Sequence, residues 1–417
     1  MQRLLIKGKN KINGTINISG SKNASLPILA ASILTKKLVL KNIPLVKDIF
    51  TMTDLLRFIG IKCQISKKKN LIKINNLKKN LNTVAPYKLV KTMRAGILVL
   101  GPLLAKFGKA KISLPGGCAI GSRPVDLHLM ALKKLGARIK IKNGYIIAKS
   151  PGNLRGTNIT FPKISVGATE NAILAAFCAE GITTLNNCAI EPEVKDLIKF
   201  LNKIGGKIKF KNRKIIIVGT KKILNTSYKI MFDRIELGTY IIAAGICGKK
   251  IKFPNVDANL IKTEIKTLKK TGINISFDKN NLFVEGCEKL KKLNIKTEPY
   301  PGFPTDLQAQ IMVLMTQAKG ISKIKENIFE NRFMHVSELK RMGAKINIRN
   351  NVATIEGPTN LSGAEVMATD LRASVSLVLA GLIAENRTII NRIYHLDRGY
   401  FSLEKKLKNC KANIKRI

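Results

Sequence analysis

Apolar positions along this chain fall into two alternating patterns. In the first, the tail of an amphipathic helix ends in glycine and is followed at once by a run of period two. Its copies run from Leu56 to Gly60, Leu132 to Gly136, Leu201 to Gly205, Leu268 to Gly272 and Leu339 to Gly343, continuing into strands such as Ala-Arg-Ile-Lys-Ile. A glycine there can take the left-handed cap conformation that ends a helix, and the alternation predicts a strand with one buried face. A sixth copy starts at Leu407 but carries Lys411 in place of the glycine, so its cap is expected to be weaker. Recurrence at roughly seventy residues predicts a repeated supersecondary unit.

The second pattern lies upstream of the first and is apolar on nearly every side. It begins near Asn23, Met93, Thr169, Gly238, Leu307 and Ala373, as in Ala373-Ser-Val-Ser-Leu-Val-Leu-Ala-Gly-Leu-Ile-Ala. A helix with no polar face must be surrounded by protein. One buried helix, one surface helix and several strands per unit predict an α/β fold in which sheets enclose a helical centre, three units to a domain. The chain is expected to divide near Phe232, after the third copy.

Composition narrows the function. With 417 residues and 45% hydrophobic content, the chain can fill the cores of two or three domains. Seven cysteines stand without paired or metal-like spacing, several in apolar runs, and read mostly as reduced core thiols. The formal net charge is +48, but the lysines are spread over nearly every amphipathic segment, aromatics make up 5% and tryptophan is absent. A base-stacking platform needs aromatics interleaved with cations, so a nucleic-acid partner is not expected, although the charge would draw anionic substrates. The start has no apolar signal core and no run is long enough to span a bilayer, which predicts a cytoplasmic protein without membrane contact. His128 and His395 have no ligand-spaced partners and are expected to make structural hydrogen bonds; neither a metal nor another cofactor is expected.

Candidate chemistry gathers at two places. The stretch Leu-Pro-Gly-Gly-Cys118-Ala-Ile-Gly-Ser-Arg123-Pro-Val-Asp126 puts a thiol and a guanidinium on one glycine-rich loop, which can be an ordinary turn or a reactive site for a phosphate or carboxylate ligand. The starts of the buried helices hold the second group. Thr305 and Thr369 are expected to serve as N-caps. Lys22, Arg94, Arg234 and Arg372 are different, because a cation at a helix N-terminus opposes the dipole, and their recurrence suggests a polyanion site. Glu191-Pro-Glu193 could pass for a paired-carboxylate site but is expected to open the surface helix 194–204.

Taken in order, Gly-Ser-Lys22-Asn23-Ala, Pro-Gly-Gly-Cys118 with Arg123-Pro-Val-Asp-Leu, Ser165-Val-Gly-Ala-Thr, Phe-Pro-Thr-Asp306, Glu330-Asn-Arg332-Phe-Met-His335, Ala-Thr-Asp370-Leu-Arg372 and Asp397-Arg398-Gly-Tyr resemble the UDP-N-acetylglucosamine 1-carboxyvinyltransferases of the EPSP synthase superfamily. The likeness covers the whole chain. The related 5-enolpyruvylshikimate-3-phosphate synthases share the fold and the Gly-Ser-Lys motif but lack the Pro-Gly-Gly-Cys loop.

The resemblance implies a two-domain inside-out α/β barrel with three βαβαββ repeats in each domain. It puts residues 22–231 in the first domain, 1–21 with 232–417 in the second, and the active site in the cleft between them. It implies transfer of the enolpyruvyl group of phosphoenolpyruvate to the 3-hydroxyl of UDP-N-acetylglucosamine, the first committed step of peptidoglycan synthesis, with these two substrates and no obligate protein partner. Asp306 would take the hydroxyl proton and Cys118 would protonate C3, although a thiol could instead attack phosphoenolpyruvate. Lys22, Arg123 and Arg398 would hold phosphoenolpyruvate. The sugar nucleotide would be positioned by Asn23, Arg94, Arg123, Pro124, Val125, Asp126, Leu127, Lys163, Ile164, Ser165, Val166 and Ile328. Arg332, Asp370 and Arg372 would support them. Family members generally carry a basic residue where this chain has Ile190.

Two rival classes remain at this level. An RNA-binding or RNA 3'-phosphate-processing protein of related repeat architecture would use the charge. A silent paralogue would have lost Lys22, Cys118, Asp306 or Arg398, and all four are present.

Overall fold

A computed structural model of the chain describes residues 2–78, 80–116, 121 and 124–417. In it the glycine-ended tails close the surface helices Lys47–Ile59, Asp126–Lys134, Pro192–Lys203, Lys262–Lys269 and Val336–Arg341, and the lysine-ended tail closes Leu403–Asn409. Gly60 turns the chain out of its helix at φ +111°, and the equivalent glycines repeat the turn. Lys411 adopts the same left-handed geometry at φ +69°. A side chain in that region costs about 1–2 kcal/mol, so the cap forms in the sixth copy against a local penalty.

Among the described residues the strands make six four-stranded sheets of one design. An antiparallel hairpin pairs with a third, antiparallel strand, and a short parallel strand closes the edge. In one, Lys207–Lys211 and Lys214–Val218 form the hairpin, Ile182–Asn186 is the third strand, and Asn158–Thr160 runs parallel to it. Ile215 and Ile217 point into the core while Ile216 and Val218 face out, which is the period of two read from the sequence.

Three sheets borrow a distant strand. Thr226–Lys229 runs parallel to Lys37–Lys41, and Ile12–Thr15 runs parallel to Gly248–Phe253. In the sixth copy the strand Asn413–Arg416 takes its antiparallel partner from a distant part of the sequence. The N-terminal strand Leu4–Lys7 fills that place, antiparallel to both Asn413–Arg416 and Arg387–Asn391.

The sheets lie outside and the apolar helices inside, as the two patterns predict. Every residue of the helix Gln308–Thr316 is buried, as are nearly all of Arg234–Cys247 and Leu371–Ile383, which pack against it. Lys22–Ala31, Val166–Ala176 and Leu100–Phe107 form the other helical core. Each fully buried Leu, Ile or Val contributes about 1.5–3 kcal/mol, so the central helices anchor the repeats.

By its contacts the chain separates into two units, one of residues 2–19 and 121 with 232–417 and one of 20–116 with 124–231. The N-terminal segment is tied into the first by its two strands and by Glu236, which accepts from the Ser19 amide at 2.7 Å and from Lys406 at 2.6 Å. No helix among the described residues is long and apolar enough to cross a membrane.

Candidate active site

Asp306 lies in the 3-10 turn Thr305–Leu307 that leads into the Gln308–Thr316 helix. Arg332 Nη2 donates to its Oδ1 at 2.9 Å and Arg372 Nη2 to its Oδ2 at 2.8 Å. Both guanidiniums are buried, whereas the Asp306 side chain is 27% exposed. The carboxylate is therefore fixed from beneath at both oxygens and open above, the arrangement of a group that must meet a ligand in one orientation. Burial lowers the proton affinity of Arg372, but Asp306, together with Tyr400 and Asp233, more than offsets it, and its pKa is raised.

Asp370 caps the Leu371–Ile383 helix, accepting from the amides of Arg372 at 2.7 Å and Ala373 at 3.1 Å. It thereby fixes the backbone from which Arg372 projects. His335 lies buried behind this group, and its imidazole is pushed down to about 4 by burial, against the opposing pull of Asp370. The ring is neutral near pH 7.

The expected threonine caps are not formed. Asp370, not Thr369, caps the Leu371–Ile383 helix, since only the aspartate oxygen reaches the second and third amides. The hydroxyl of Thr305 is engaged elsewhere, donating to Glu326 Oε2 at 2.8 Å.

Glu326 is a residue that sequence reasoning passed over. It is buried, and its Oε1 accepts from the Thr297 hydroxyl at 2.9 Å and from the amides of Ile328 at 2.8 Å and Phe329 at 3.2 Å. One carboxylate thus ties the segment carrying Ile328 to the residue before Asp306. A carboxylate beside Asn327 and Ile328, between a strand and a motif, was the available signal.

Arg398 ends the 3-10 turn Leu396–Arg398. Its neighbour Asp397 is gripped bidentately by Arg416 of the last strand, at 2.7 and 3.0 Å.

In the unit of residues 20–116 and 124–231, Ser21 caps the Lys22–Ala31 helix and Lys22 occupies its first position, buried and 3.2 Å from Asp48 Oδ2. Asn23 follows it in the same first turn. Arg94 donates to the Pro124 carbonyl at 3.2 Å and shares with Pro124, Val125, Asp126, Lys133 and Lys134 the wall of a cavity of about 760 Å³. Leu127 is buried in the first turn of the helix that Asp126 opens. Lys163 and Ile164 lead to Ser165, which caps the Val166–Ala176 helix.

His128 joins these two helix starts, because its ring lies where a side chain at Gly167 would come within 3.1 Å of it. Asn171 Nδ2 donates to His128 Nδ1 at 3.1 Å, which leaves the proton on Nε2 and gives this histidine the structural bond expected of it. Cys118 and Arg123 lie outside the described residues.

The cations at helix starts are met by carboxylates: Lys22 by Asp48, Arg372 by Asp306, and Arg234 by Glu264 at 2.6 Å. A buried charge needs a partner from the fold itself, and these three cations have one, whereas Arg94 donates to the Pro124 carbonyl. The Glu191-Pro-Glu193 run opens the helix Pro192–Lys203 as expected, but Glu193 is buried. Beside it, burial and then the charges of Glu193 and Glu191 push Glu170 well above the usual carboxylate range. Burial also raises the thiols of Cys63 and Cys178 to about 11 and those of Cys188 and Cys247 to about 12, so these four stay protonated and unreactive. Among the described residues no group of His, Cys, Asp and Glu is arranged to hold a metal ion.

The sequence matches the family of EPSP synthase (3-phosphoshikimate 1-carboxyvinyltransferase) across residues 6–407. The chain belongs to the EPSP synthase family. It is 58% identical over 419 residues to the UDP-N-acetylglucosamine 1-carboxyvinyltransferase of Pelagibacter ubique (strain HTCC1062), and the alignment covers 100% of both chains. It is 53% identical, with the same coverage, to the enzyme of that name from Rickettsia prowazekii (strain Madrid E). Among solved structures it is similar to the enolpyruvyl transferase NikO from Streptomyces tendae, with a TM-score of 0.89 and 22% identity over 100% of this chain and 98% of that one. EPSP synthase from Acinetobacter baumannii superposes with a TM-score of 0.76 at 18% identity, covering 100% of each chain. At such identities the likeness is one of fold, and the inside-out α/β architecture read from the repeats is that fold.

Proposed function

We infer that this chain is an enolpyruvyl transferase that joins C2 of phosphoenolpyruvate to the 3-hydroxyl of UDP-N-acetylglucosamine and releases phosphate, the first committed step of peptidoglycan synthesis. The full-length likeness, at 58% identity, to an enzyme named for this transfer carries the reading. The clamped carboxylate of Asp306 supplies chemistry that fits it.

In the addition half, the sugar hydroxyl attacks C2 while Asp306 takes its proton and Cys118 gives one to C3. In the elimination half, the new methyl group returns a proton and phosphate leaves, restoring the double bond. A fixed acceptor within hydrogen-bond reach of the hydroxyl is worth about 10²–10⁴-fold in rate. Lys22, Arg123 and Arg398 hold the phosphate and carboxylate of phosphoenolpyruvate on this reading, and an ammonium has three protons, so Lys22 can keep Asp48 and bind phosphate together. Asn23, Arg94, the 123–127 and 163–166 segments and Ile328 position the sugar nucleotide. Both substrates are phosphorylated and do not diffuse through membranes, which assigns the enzyme to the cytoplasm.

The test is phosphate release from phosphoenolpyruvate with and without UDP-N-acetylglucosamine. Release only when both are present is expected, with Asp306→Asn nearly inactive, Cys118→Asp retaining turnover and Cys118→Ser losing most of it. Equal activity of the two cysteine variants would overturn the acid role of the thiol, and sugar-independent release would overturn the reaction.

A further inference from the structure

The tyrosine of the Asp397-Arg398-Gly-Tyr run has no part in the chemistry described so far, yet its hydroxyl sits at the centre of a buried polar network. Tyr400 is buried, and its oxygen lies 3.1 Å from Arg372 Nη1, 2.9 Å from Thr239 Oγ1 and 3.3 Å from Gln310 Nε2. These partners come from the helices Leu371–Ile383, Arg234–Cys247 and Gln308–Thr316, so one hydroxyl joins all three central helices of its unit.

Proton accounting gives this network one orientation. Arg372 and the Gln310 amide nitrogen can only donate, and a phenol has two lone pairs and one proton. Gln310 Nε2 has one proton for the Asp306 carbonyl and one shared between Thr239 Oγ1 at 3.1 Å and Tyr400. Tyr400 therefore accepts from Arg372 and in part from Gln310, and gives its own proton to Thr239. Thr239 in turn donates to the Ile235 carbonyl at 2.8 Å. Gln310 Nε2 also reaches the backbone carbonyl of Asp306 at 2.9 Å, so the chain runs from the helix interior to both the side chain and the main chain of the proposed base. The negative end of the phenol dipole faces the guanidinium whose other nitrogen holds Asp306 Oδ2.

We propose that Tyr400 is a positioning residue, whose hydroxyl, oriented by Thr239, holds Arg372 in the rotamer that presents the Asp306 carboxylate to the sugar hydroxyl. This rests on the reading of Asp306 as the proton acceptor. Arg332 keeps one carboxylate oxygen by itself, but without Tyr400 the guanidinium of Arg372 has one nitrogen with a lost acceptor in a buried site and rotates to recover it. The loss falls on catalysis and spares binding. The turn that carries Arg398 is held separately, by Asp397 on Arg416 and by the close fit of Gly399, where a side chain would meet Leu371 at 2.6 Å.

Tyr400→Phe keeps the ring, which stacks 5.5 Å from the Arg372 guanidinium, and removes only the oxygen. The expected result is a folded enzyme whose kcat falls about tenfold, the effect of one hydrogen bond to a charged group felt in the transition state, with KM for both substrates within about twofold. Against an Arg372→Lys background the same change should cost almost nothing further, since two residues acting through one contact are not additive. An unchanged kcat, or losses that multiply in the double variant, would overturn the proposal. Asp306→Asn separates the two levels: if it is inactive while Tyr400→Phe is normal, only the role of Tyr400 fails, and if it is active the reading of the base fails. Should Tyr400→Phe not fold, Thr239→Val removes the acceptor that orients the phenol and should lower kcat by at least threefold at constant KM; no change there would equally overturn the proposal.

Discussion

Removing the Glu326 carboxylate separates a loop-ordering role from a bystander role. Its two oxygens accept from two hydroxyls, of Thr297 and Thr305, and from two backbone amides, of Ile328 and Phe329. In Glu326→Ala the hydroxyls can rotate toward other acceptors, but the amides are fixed by the backbone. Two half-buried donors left unpaired at about 1 kcal/mol each, the low end of the range for buried groups, put the cost at about 2 kcal/mol. Glu326→Gln is different. Its oxygen can keep the place of Oε1 and its three donors, while its amide nitrogen donates to the Thr305 hydroxyl, which then accepts. Only charge assistance is lost, about 1 kcal/mol. Urea unfolding of the three proteins, with m-values compared to confirm a common transition, measures both numbers. Because the loop carries Ile328 and abuts Thr305, the alanine variant should also raise KM for UDP-N-acetylglucosamine about tenfold, and the glutamine variant should not. If Gln destabilises as much as Ala, or if Ala costs under about 1 kcal/mol, the hydrogen-bond accounting for this loop is wrong.

Three further outcomes follow from buried or strained groups. Burial pushes Asp196 up to about 6, against the Tyr228 hydroxyl at 2.8 Å, so the folded state binds its proton more tightly than the unfolded chain does. Its contribution is fully present below about pH 4 and is lost as pH rises through about 6, a fall of about 3 kcal/mol; Asp196→Asn should flatten the stability profile in that window, and an unchanged slope would refute the assignment. Lys411→Gly relieves a left-handed residue at φ +69° and should raise the unfolding midpoint by the equivalent of about 0.5–1 kcal/mol after the entropy of the unfolded chain is subtracted, whereas a lower midpoint would show that the lysine side chain packs usefully. Arg416→Ala frees Asp397 beside Arg398 and should raise KM for phosphoenolpyruvate several-fold with KM for the sugar nucleotide unchanged; parallel changes in both would argue against a local effect on that turn.

The sequence by itself determined the repeat, because each of its signals is local. A glycine after Leu56-Arg-Phe-Ile and a period of two after it specify a cap and a strand within ten residues, and Gly60 and its equivalents adopt that geometry. Helices without a polar face, such as Gln308–Thr316, could only be interior, and they are. The residue types of the candidate site were also visible, since unusual cations and acids stood at the starts of those helices. Their partners were not. Asp306 meets Arg332 and Arg372 across 26 and 66 residues, and Tyr400 meets Thr239 across 161. The strand Leu4–Lys7 pairs with Asn413–Arg416 from the opposite end of the chain. Periodicity carries no information about such pairings, because side chains this far apart meet only after the sheets close around the helices and the loop entropy between them has been spent. Packing then decided which acid each buried cation required, and replaced the expected threonine caps by Asp370 and by a hydroxyl turned toward Glu326. The local code supplied the parts of the site, and the closed core, where an unpaired charge is too costly to persist, fixed how they are joined.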